Sequence, residues 1–184
     1  MRKLLLMKRI AFLLFLLSPI IIKAQTTSYT VSMSGIAEVK LGMTKSSLEK
    51  LLNQTLQLPK LAKENNYERD TVTCNYKGLN LSVVFEKQEI NNKNEIVVWE
   101  VKSTHPQLKT RSGIGIGDDK LKIISTYDNY TIYIMPGYDD ADYTIKSKIK
   151  SSIWLHGDES GKVIIFYLTN NKVTGMCVTY DEGC

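Results

Sequence analysis

The sequence predicts an α+β protein made of two related units. Each unit is a short strand and a helix followed by an antiparallel β-meander, with the helices packed on one face of the sheet. Two segments that begin at Val39 and Ile114 align without a gap: apolar residues lead to a glycine, a polar residue and then apolar residues at helical spacing. Alternating runs separated by turn residues follow both segments. This repetition predicts unit one over residues 35–104 and unit two over residues 105–184.

Each predicted helix begins shortly after a glycine. Gly42 and Gly117 can turn the chain without the steric penalty of a Cβ atom. Thr44 follows in unit one, and Asp118 or Asp119 follows in unit two. Oxygen atoms of such side chains accept hydrogen bonds from the free N–H groups of a first helical turn. We therefore expect a capped helix after each of the two glycines.

Seven strands are expected after the helices. They lie at 71–76, 79–86 and 96–103 in unit one, and at 130–135, 145–155, 163–169 and 173–180 in unit two. Residues typical of turns separate them, at 76–78, 91–94, 157–161 and 170–171. Short turns of this kind favour antiparallel hairpins, and a helix layer over such a sheet is a common α+β arrangement.

The start of each unit resembles the repeat of β-lactamase-inhibitor-protein-like folds and of small outer-membrane-assembly lipoproteins. The residues that carry the resemblance are Leu41-Gly42-Met43-Thr44, Ile116-Gly117-Asp118-Asp119 and the meander segment Asn171-Lys172-Val173-Thr174. The resemblance covers roughly residues 35 to 180. It implies a non-catalytic protein that binds other proteins through exposed sheet surface and loops rich in aromatic and acidic residues. Unlike the lipoproteins, this chain has no cysteine for lipid attachment after its apolar N-terminal run.

Residues 1–24 have the three parts of a cleavable secretory signal peptide: a basic start, a short apolar run and a small residue, Ala24, at the end. The alternative is a retained membrane anchor, but the apolar run is shorter than the roughly 20 residues that span a bilayer. We expect cleavage near Ala24 and a linker at 25–34. The mature protein would be periplasmic or secreted, without an integral membrane segment.

The positive charge of the chain belongs to this leader. The whole sequence has 24 Lys and Arg against 19 Asp and Glu. Without the five cations of the leader, the remaining 19 cations balance the 19 acids. A neutral mature protein lacks the excess of Lys and Arg on which nucleic-acid binding depends, so we expect no nucleic-acid partner.

Three cysteines, Cys74, Cys177 and Cys184, would meet an oxidising compartment after export. Cys177 could pair with Cys184, or Cys74 could pair with either one and link the two units. All three could also remain reduced, because a domain of this size does not need a disulfide to fold. The sequence leaves these alternatives open.

No set of residues predicts catalysis, a cofactor or a metal. The glycines at 113–117 lack the spacing of a nucleotide-binding motif, and two aspartates follow them where a phosphate would bind. His105 and His156 have no neighbouring ligands at metal-binding spacing. The acidic stretch at 139–142 lacks the glycine and distal glutamate of a calcium-binding loop.

The strongest surface candidate is a stretch rich in tyrosine and aspartate. Tyrosine is enriched at protein interfaces, and acidic neighbours would steer a basic partner. In the alternative interpretation, Tyr127 and Tyr133 face the core and the other residues decorate a hairpin. The predicted partner-binding residues are Tyr130, Tyr138, Asp139, Asp140, Asp142 and Tyr143.

The sequence therefore predicts an exported, non-enzymatic protein that binds another envelope or secreted protein, as an inhibitor, an immunity-type factor or an assembly factor. One alternative is a module that binds a small ligand or an envelope polymer. A second alternative is a hydrolase whose site the sequence does not reveal. The oligomeric state is left open.

Overall fold

A computed structural model describes residues 28–61, 69–90, 92–140, 142, 144–157 and 161–181. The expected leader at 1–24, together with Tyr143 and Cys184, lies outside the described residues. Within these ranges, neither helix has the length and apolar character needed to cross a membrane.

The described residues form strands and two helices, mostly in the order and positions that the sequence predicts. In chain order they are β1 (Tyr29–Ser32), β2 (Gly35–Ile36), β3 (Val39–Lys40), α1 (Lys45–Leu52), β4 (Arg69–Tyr76), β5 (Leu79–Ile90), β6 (Lys93–Ser103), β7 (Leu108–Thr110), α2 (Lys120–Thr126), β8 (Ile132–Tyr138), β9 (Lys146–His156), β10 (Lys162–Thr169) and β11 (Lys172–Tyr180). This arrangement confirms the α+β class, with largely antiparallel sheets.

Seven strands form one antiparallel sheet in the order β4-β5-β6-β11-β10-β9-β8. The strands predicted for unit one and unit two therefore belong to the same sheet. They join where β6 pairs with β11, with Val101 opposite Val178. A single large core follows from this pairing, and it contains Phe85 from one half and Phe166 from the other. Strand β8 lies at one end of the sheet and β4 at the other.

A second, four-stranded sheet has the order β3-β2-β1-β7, with β1 and β7 parallel. Strand β1 lies within the stretch that we expected to be a linker, residues 25–34. Tyr29 and Val31 are buried while Thr30 between them is exposed, which is the alternation of a strand with one face on the core. This segment is therefore part of the folded domain.

The two helix starts differ more than the sequence predicts. Thr44 is the N-cap of α1, and its side chain accepts a hydrogen bond from the N–H of Ser47 at 3.2 Å, as predicted. Asp119 is the N-cap of α2 but makes no side-chain cap bond. Asp118 instead accepts from the N–H of Gly115 at 2.7 Å, so its carboxylate stabilises the turn before the helix.

The short strand expected before the second helix is also absent from the described residues around Gly115. Gly115 makes only an isolated bridge to Lys109. Gly113 and Gly117 on either side have φ angles of 85° and 87°, which extended backbone does not adopt. Two left-handed glycines within five residues turn the chain too sharply for a strand.

Cys74 and Cys177 are both buried free thiols. The pairing of Cys74 with Cys177, one of the three that we considered, is therefore not formed. Cys184 lies outside the described residues.

Candidate functional site

The hairpin of β8 and β9 carries most of the exposed apolar surface. Near the sheet, Ile132 pairs with Leu155 and Ile134 with Ile153, in antiparallel register. Toward the tip the ladder is interrupted between Pro136 and Tyr138. Seven of the nine large apolar or aromatic side chains that are exposed in the described residues lie here: Tyr130, Tyr133, Ile134, Met135, Tyr138, Ile145 and Ile149.

The predicted partner-binding residues lie in this region, but they do not form one cluster. Tyr130 is 55% exposed before β8, where its ring meets the buried Tyr127 ring edge to face at 5.7 Å. Tyr138 is 45% exposed at the far end of β8. Because a strand rises about 3.3 Å per residue, the two tyrosines lie at opposite ends of the hairpin.

The acidic residues group at the hairpin tip, with Tyr138. The N–H of Asp139 donates to the C=O of Ile145 at 2.9 Å, which closes the loop. Asp142 accepts hydrogen bonds from the N–H and the hydroxyl of Thr144, at 2.9 and 2.6 Å. These two bonds lower the pKa of Asp142. Asp142 therefore stabilises the conformation of the hairpin loop through bonds within the loop. Tyr143 lies outside the described residues.

The hairpin is not acidic as a whole. Asp140, largely exposed, forms an ion pair with Lys150 on β9. Lys146 and Lys148 lie on the same strand, so three lysines balance the three aspartates of the hairpin. Because the charges of the hairpin balance, it has no net negative charge to attract a basic partner, as the aspartates alone would suggest.

Sequence reasoning did not select the exposed residues Tyr133, Ile134, Met135, Ile145 and Ile149. In the alternative interpretation Tyr133 faces the core, yet it is 54% exposed. Alternation along a strand predicts which side chains share a face, but not whether the strand is central or at an edge. The usable signal is that residues 130–138 contain no charged residue at all.

A small apolar cluster with one lysine lies on the face of the seven-stranded sheet opposite the main core. Ile165 and Cys177 are cross-strand neighbours in a small cluster on the face opposite the main core. Lys102 pairs with Cys177 across β6 and β11, and its ammonium lies 4.2 Å from the centre of the Tyr167 ring. Lys102 and Tyr167 therefore form a cation–π pair on an otherwise apolar patch.

Cys177 is not placed to act as a nucleophile. Burial, together with the nearby Glu100, raises the pKa of the Cys177 thiol. Burial also raises the pKa of Cys74. Because the thiolate is the reactive form, both cysteines are held in their unreactive state.

A groove of about 420 Å³ lies beside Lys102, between the sheet and the hairpin tip. Lys102 and Lys150 are the cations on its lining, and Asp140 is the acid. Side-chain hydroxyls dominate the remaining polar lining: Thr104, Ser151, Ser152, Tyr167, Thr169 and Thr174. Such a lining suits a hydroxyl-bearing or anionic ligand better than an apolar one.

Neither of the two histidines lines this groove. His105 accepts from the N–H of Gln107 at 3.3 Å and meets the Tyr29 ring edge to face. His156 lies 3.3 Å from the carboxylate of Asp181 and contacts the ring of Tyr133. Across the part of the chain that the structure describes, no group of three or more His, Cys, Asp or Glu could hold a metal ion.

Comparison with known proteins gives no relative. No protein-family model matches the chain, and neither a curated protein nor a solved structure matches it.

Proposed function

We propose that this chain is an exported, non-enzymatic binding protein that engages another envelope or secreted protein through hairpin β8–β9. The observation that carries the proposal is the concentration of exposed apolar side chains on residues 130–149. Elsewhere in the described residues, only Ile90 and Leu121 are large, apolar and exposed. Contiguous exposed apolar surface of this kind marks interaction sites in soluble proteins.

The hairpin tip, defined by Tyr138, Asp139, Asp140, Asp142 and Ile149, supports the proposal by its composition. An exposed tyrosine and an exposed isoleucine provide apolar contact area there. Aspartates and lysines surround them, as in the polar rim of an interface. The contact would be apolar at its centre, with charges that add specificity.

We also propose that the two halves are related units with helices on one sheet face, as in inhibitor-like and assembly-factor folds. Gly42 and Gly117, with φ angles of 76° and 87°, precede the two helices at matching positions. Leu48 and Ile123 are buried at equivalent helical positions and belong to the same core. Export to the periplasm or medium would follow from the leader at 1–24, which also argues for an envelope partner.

The test is affinity capture from the envelope of a bacterium that expresses the chain, with the wild type beside matched variants. Tyr138→Ser and Ile149→Ser remove apolar surface from the hairpin tip. Leu121→Ser removes an exposed leucine on α2, 76% exposed, and serves as the control. We expect a protein that wild type and Leu121→Ser capture equally and that the tip variants lose. Equal capture by all four proteins would overturn the proposal.

The second candidate function is binding of a small ligand or an envelope polymer in the groove beside Lys102. The hydroxyl-rich lining and the two lysines favour it. Thr174 is exposed on the lining, so Thr174→Arg would fill the groove without disturbing the core. Thermal stabilisation of wild type by a glycan fragment, lost in Thr174→Arg, would favour this candidate over the hairpin.

A further inference from the structure

The outer edge of β8 is open and uncharged. Strand β8 ends the seven-stranded sheet, and among the described residues it pairs with β9 alone. Residues 130–138 contain no Asp, Glu, Lys or Arg. Edge strands usually carry charged side chains, because exposed backbone groups can pair with another chain. Here only Pro136 and the irregularity that follows it limit such pairing.

The ladder between β8 and β9 shows which backbone groups face that edge. In an antiparallel pair, residues alternate between those that exchange hydrogen bonds with the neighbour and those that do not. The N–H of His156 donates to the C=O of Thr131 at 3.0 Å. Tyr133 and Met135 lie two and four residues after Thr131. Their backbone N–H and C=O groups therefore also point toward β9.

The remaining residues of β8 therefore point their backbone groups outward. Ile132 and Ile134 each present an N–H and a C=O to the open edge. Pro136 presents only a C=O, because proline has no N–H. Pro136 thus sits where its missing donor does not disturb the ladder with β9. The open edge offers two donors and three acceptors in a row.

We propose that β8 pairs antiparallel with β8 of a second copy of this chain, about a two-fold axis at Ile134. In this register Ile134 exchanges two backbone hydrogen bonds with its equivalent. Ile132 of each copy faces Pro136 of the other and donates its N–H to the proline C=O. Both donors of each edge are then used, and the missing N–H of Pro136 leaves only the C=O of Ile132 without a partner.

The same register is self-complementary in side chains. Tyr133 of one copy lies opposite Met135 of the other, twice, and aromatic rings make favourable contacts with methionine sulfur. Tyr130 lies opposite Tyr138, and Ile134 opposite itself. The side chains that meet are exposed in the single chain. Since neither edge carries a charge, no like charges are brought together.

The pairing is a small interface. A nine-residue edge provides fewer contacts than the roughly 20–30 residues on each side of a standard interface. The dimer should therefore be weak and depend on concentration. Tyr138 is used in the pairing, but Ile145 and Ile149 lie outside the paired stretch and would remain available for another protein. The inference does not depend on the function proposed above.

The test is sedimentation velocity of the purified exported chain over a range of concentrations. We expect the wild type to shift from monomer to dimer as concentration rises. Ile134→Lys places two charges at the two-fold axis and should weaken the dimer by at least about tenfold. Leu121→Lys, which adds the same charge on α2, should dimerise as the wild type does. Circular dichroism melting checks that both variants are folded.

A cross-linking experiment tests the register. Cα atoms of a hydrogen-bonded antiparallel pair lie about 5.5 Å apart, within the range that a disulfide spans. In a Cys184→Ser background, Ile134→Cys should form a covalent dimer under mild oxidation and Leu121→Cys should not. The native Cys74 and Cys177 are buried and should not compete.

Two outcomes would overturn the inference. The first is a wild type that stays monomeric at every concentration. The second is equal cross-linking of the Ile134→Cys and Leu121→Cys variants. In the first case, loss of capture of another protein in Ile134→Lys would assign the β8 edge to a strand of that protein.

Discussion

The carboxylate of Asp70 on β4 accepts a hydrogen bond from the backbone N–H of Lys60, at 2.7 Å. Asp70 also accepts from the N–H groups of Leu61 at 3.4 Å and Thr71 at 2.8 Å, and Asp70 is only 4% exposed. A buried carboxylate thus ties the segment after α1 to the edge of the sheet. Buried polar groups of this kind are costly to leave without partners.

We expect Asp70→Ala to lower the free energy of unfolding by about 2–4 kcal/mol, because three backbone N–H groups lose their acceptor. Urea denaturation followed by circular dichroism measures the change. Asp140→Ala is the matched control, since its ion pair with Lys150 lies at an exposed tip and should contribute less than about 1 kcal/mol. Equal losses in the two variants would refute the anchoring role of Asp70.

The two helix N-caps make a second prediction. Thr44→Ala removes the side-chain acceptor of the Ser47 N–H and should lower the free energy of unfolding by about 1 kcal/mol. Asp119→Ala removes no cap bond, only an exposed ion pair with Lys172, and should have a smaller effect. Chemical denaturation of both variants measures the two changes in the free energy of unfolding. A larger loss for Asp119→Ala would contradict the observed cap geometry.

Two helical leucines allow a direct comparison of burial. Leu48 on α1 is fully buried, and Leu121 on α2 is 76% exposed. Leu48→Ala should lower the free energy of unfolding by about 2–5 kcal/mol, since it leaves a cavity in the core. Leu121→Ala should change it by less than about 0.5 kcal/mol. Thermal and urea unfolding of the pair measure the difference, and similar losses would show that α1 does not contribute to the core.

The buried thiols should be unreactive in the folded protein. Burial raises the pKa of both Cys74 and Cys177, so little thiolate forms at pH 8. In a Cys184→Ser variant, a thiol reagent should label neither residue in native buffer and both in urea. Rapid native labelling of one thiol would show that its strand opens or that its surroundings are more polar than the structure indicates.

Stability should fall at alkaline pH for the same reason. The folded pKa of Cys177 lies above its unfolded value of about 9. Its contribution to stability is therefore complete below pH 9 and decreases as pH rises, by at most about 1.4 kcal/mol per pH unit. Cys177→Ala should show a shallower decline between pH 9 and 10.5. An identical slope in the variant would assign the decline to other groups.

Local sequence signals were enough for most elements of the sheet. Apolar alternation and the turn residues placed β4–β6 and β9–β11 within a few residues of their observed ends. Gly42 and Thr44 marked the start of α1 correctly, because capping depends on neighbouring residues. The prediction for the start of α2 was less accurate. Asp118 and Asp119 both offer carboxylate oxygens, and the local pattern does not show which of them caps the helix and which stabilises the preceding turn.

Long-range pairings were outside the reach of such signals. Nothing near Tyr29 shows that β1 will pair in parallel with β7, and so the segment was expected to be a linker. Similarly, the two halves join into one sheet through β6 and β11, whose pairing depends on contacts far apart in the chain. Pairing between distant strands depends on the packing of the whole core, which no local pattern encodes.

The sequence by itself determined the class of fold, most strands and the cap at Thr44. Tertiary structure alone decided that β8 is an edge strand of the sheet. Its apolar side chains, including Tyr133 and Ile134, are therefore exposed. It also decided that Lys150 faces Asp140 and balances the acidic tip. The physical reason is that alternation assigns a side chain to a face, whereas exposure depends on which strands lie beside it.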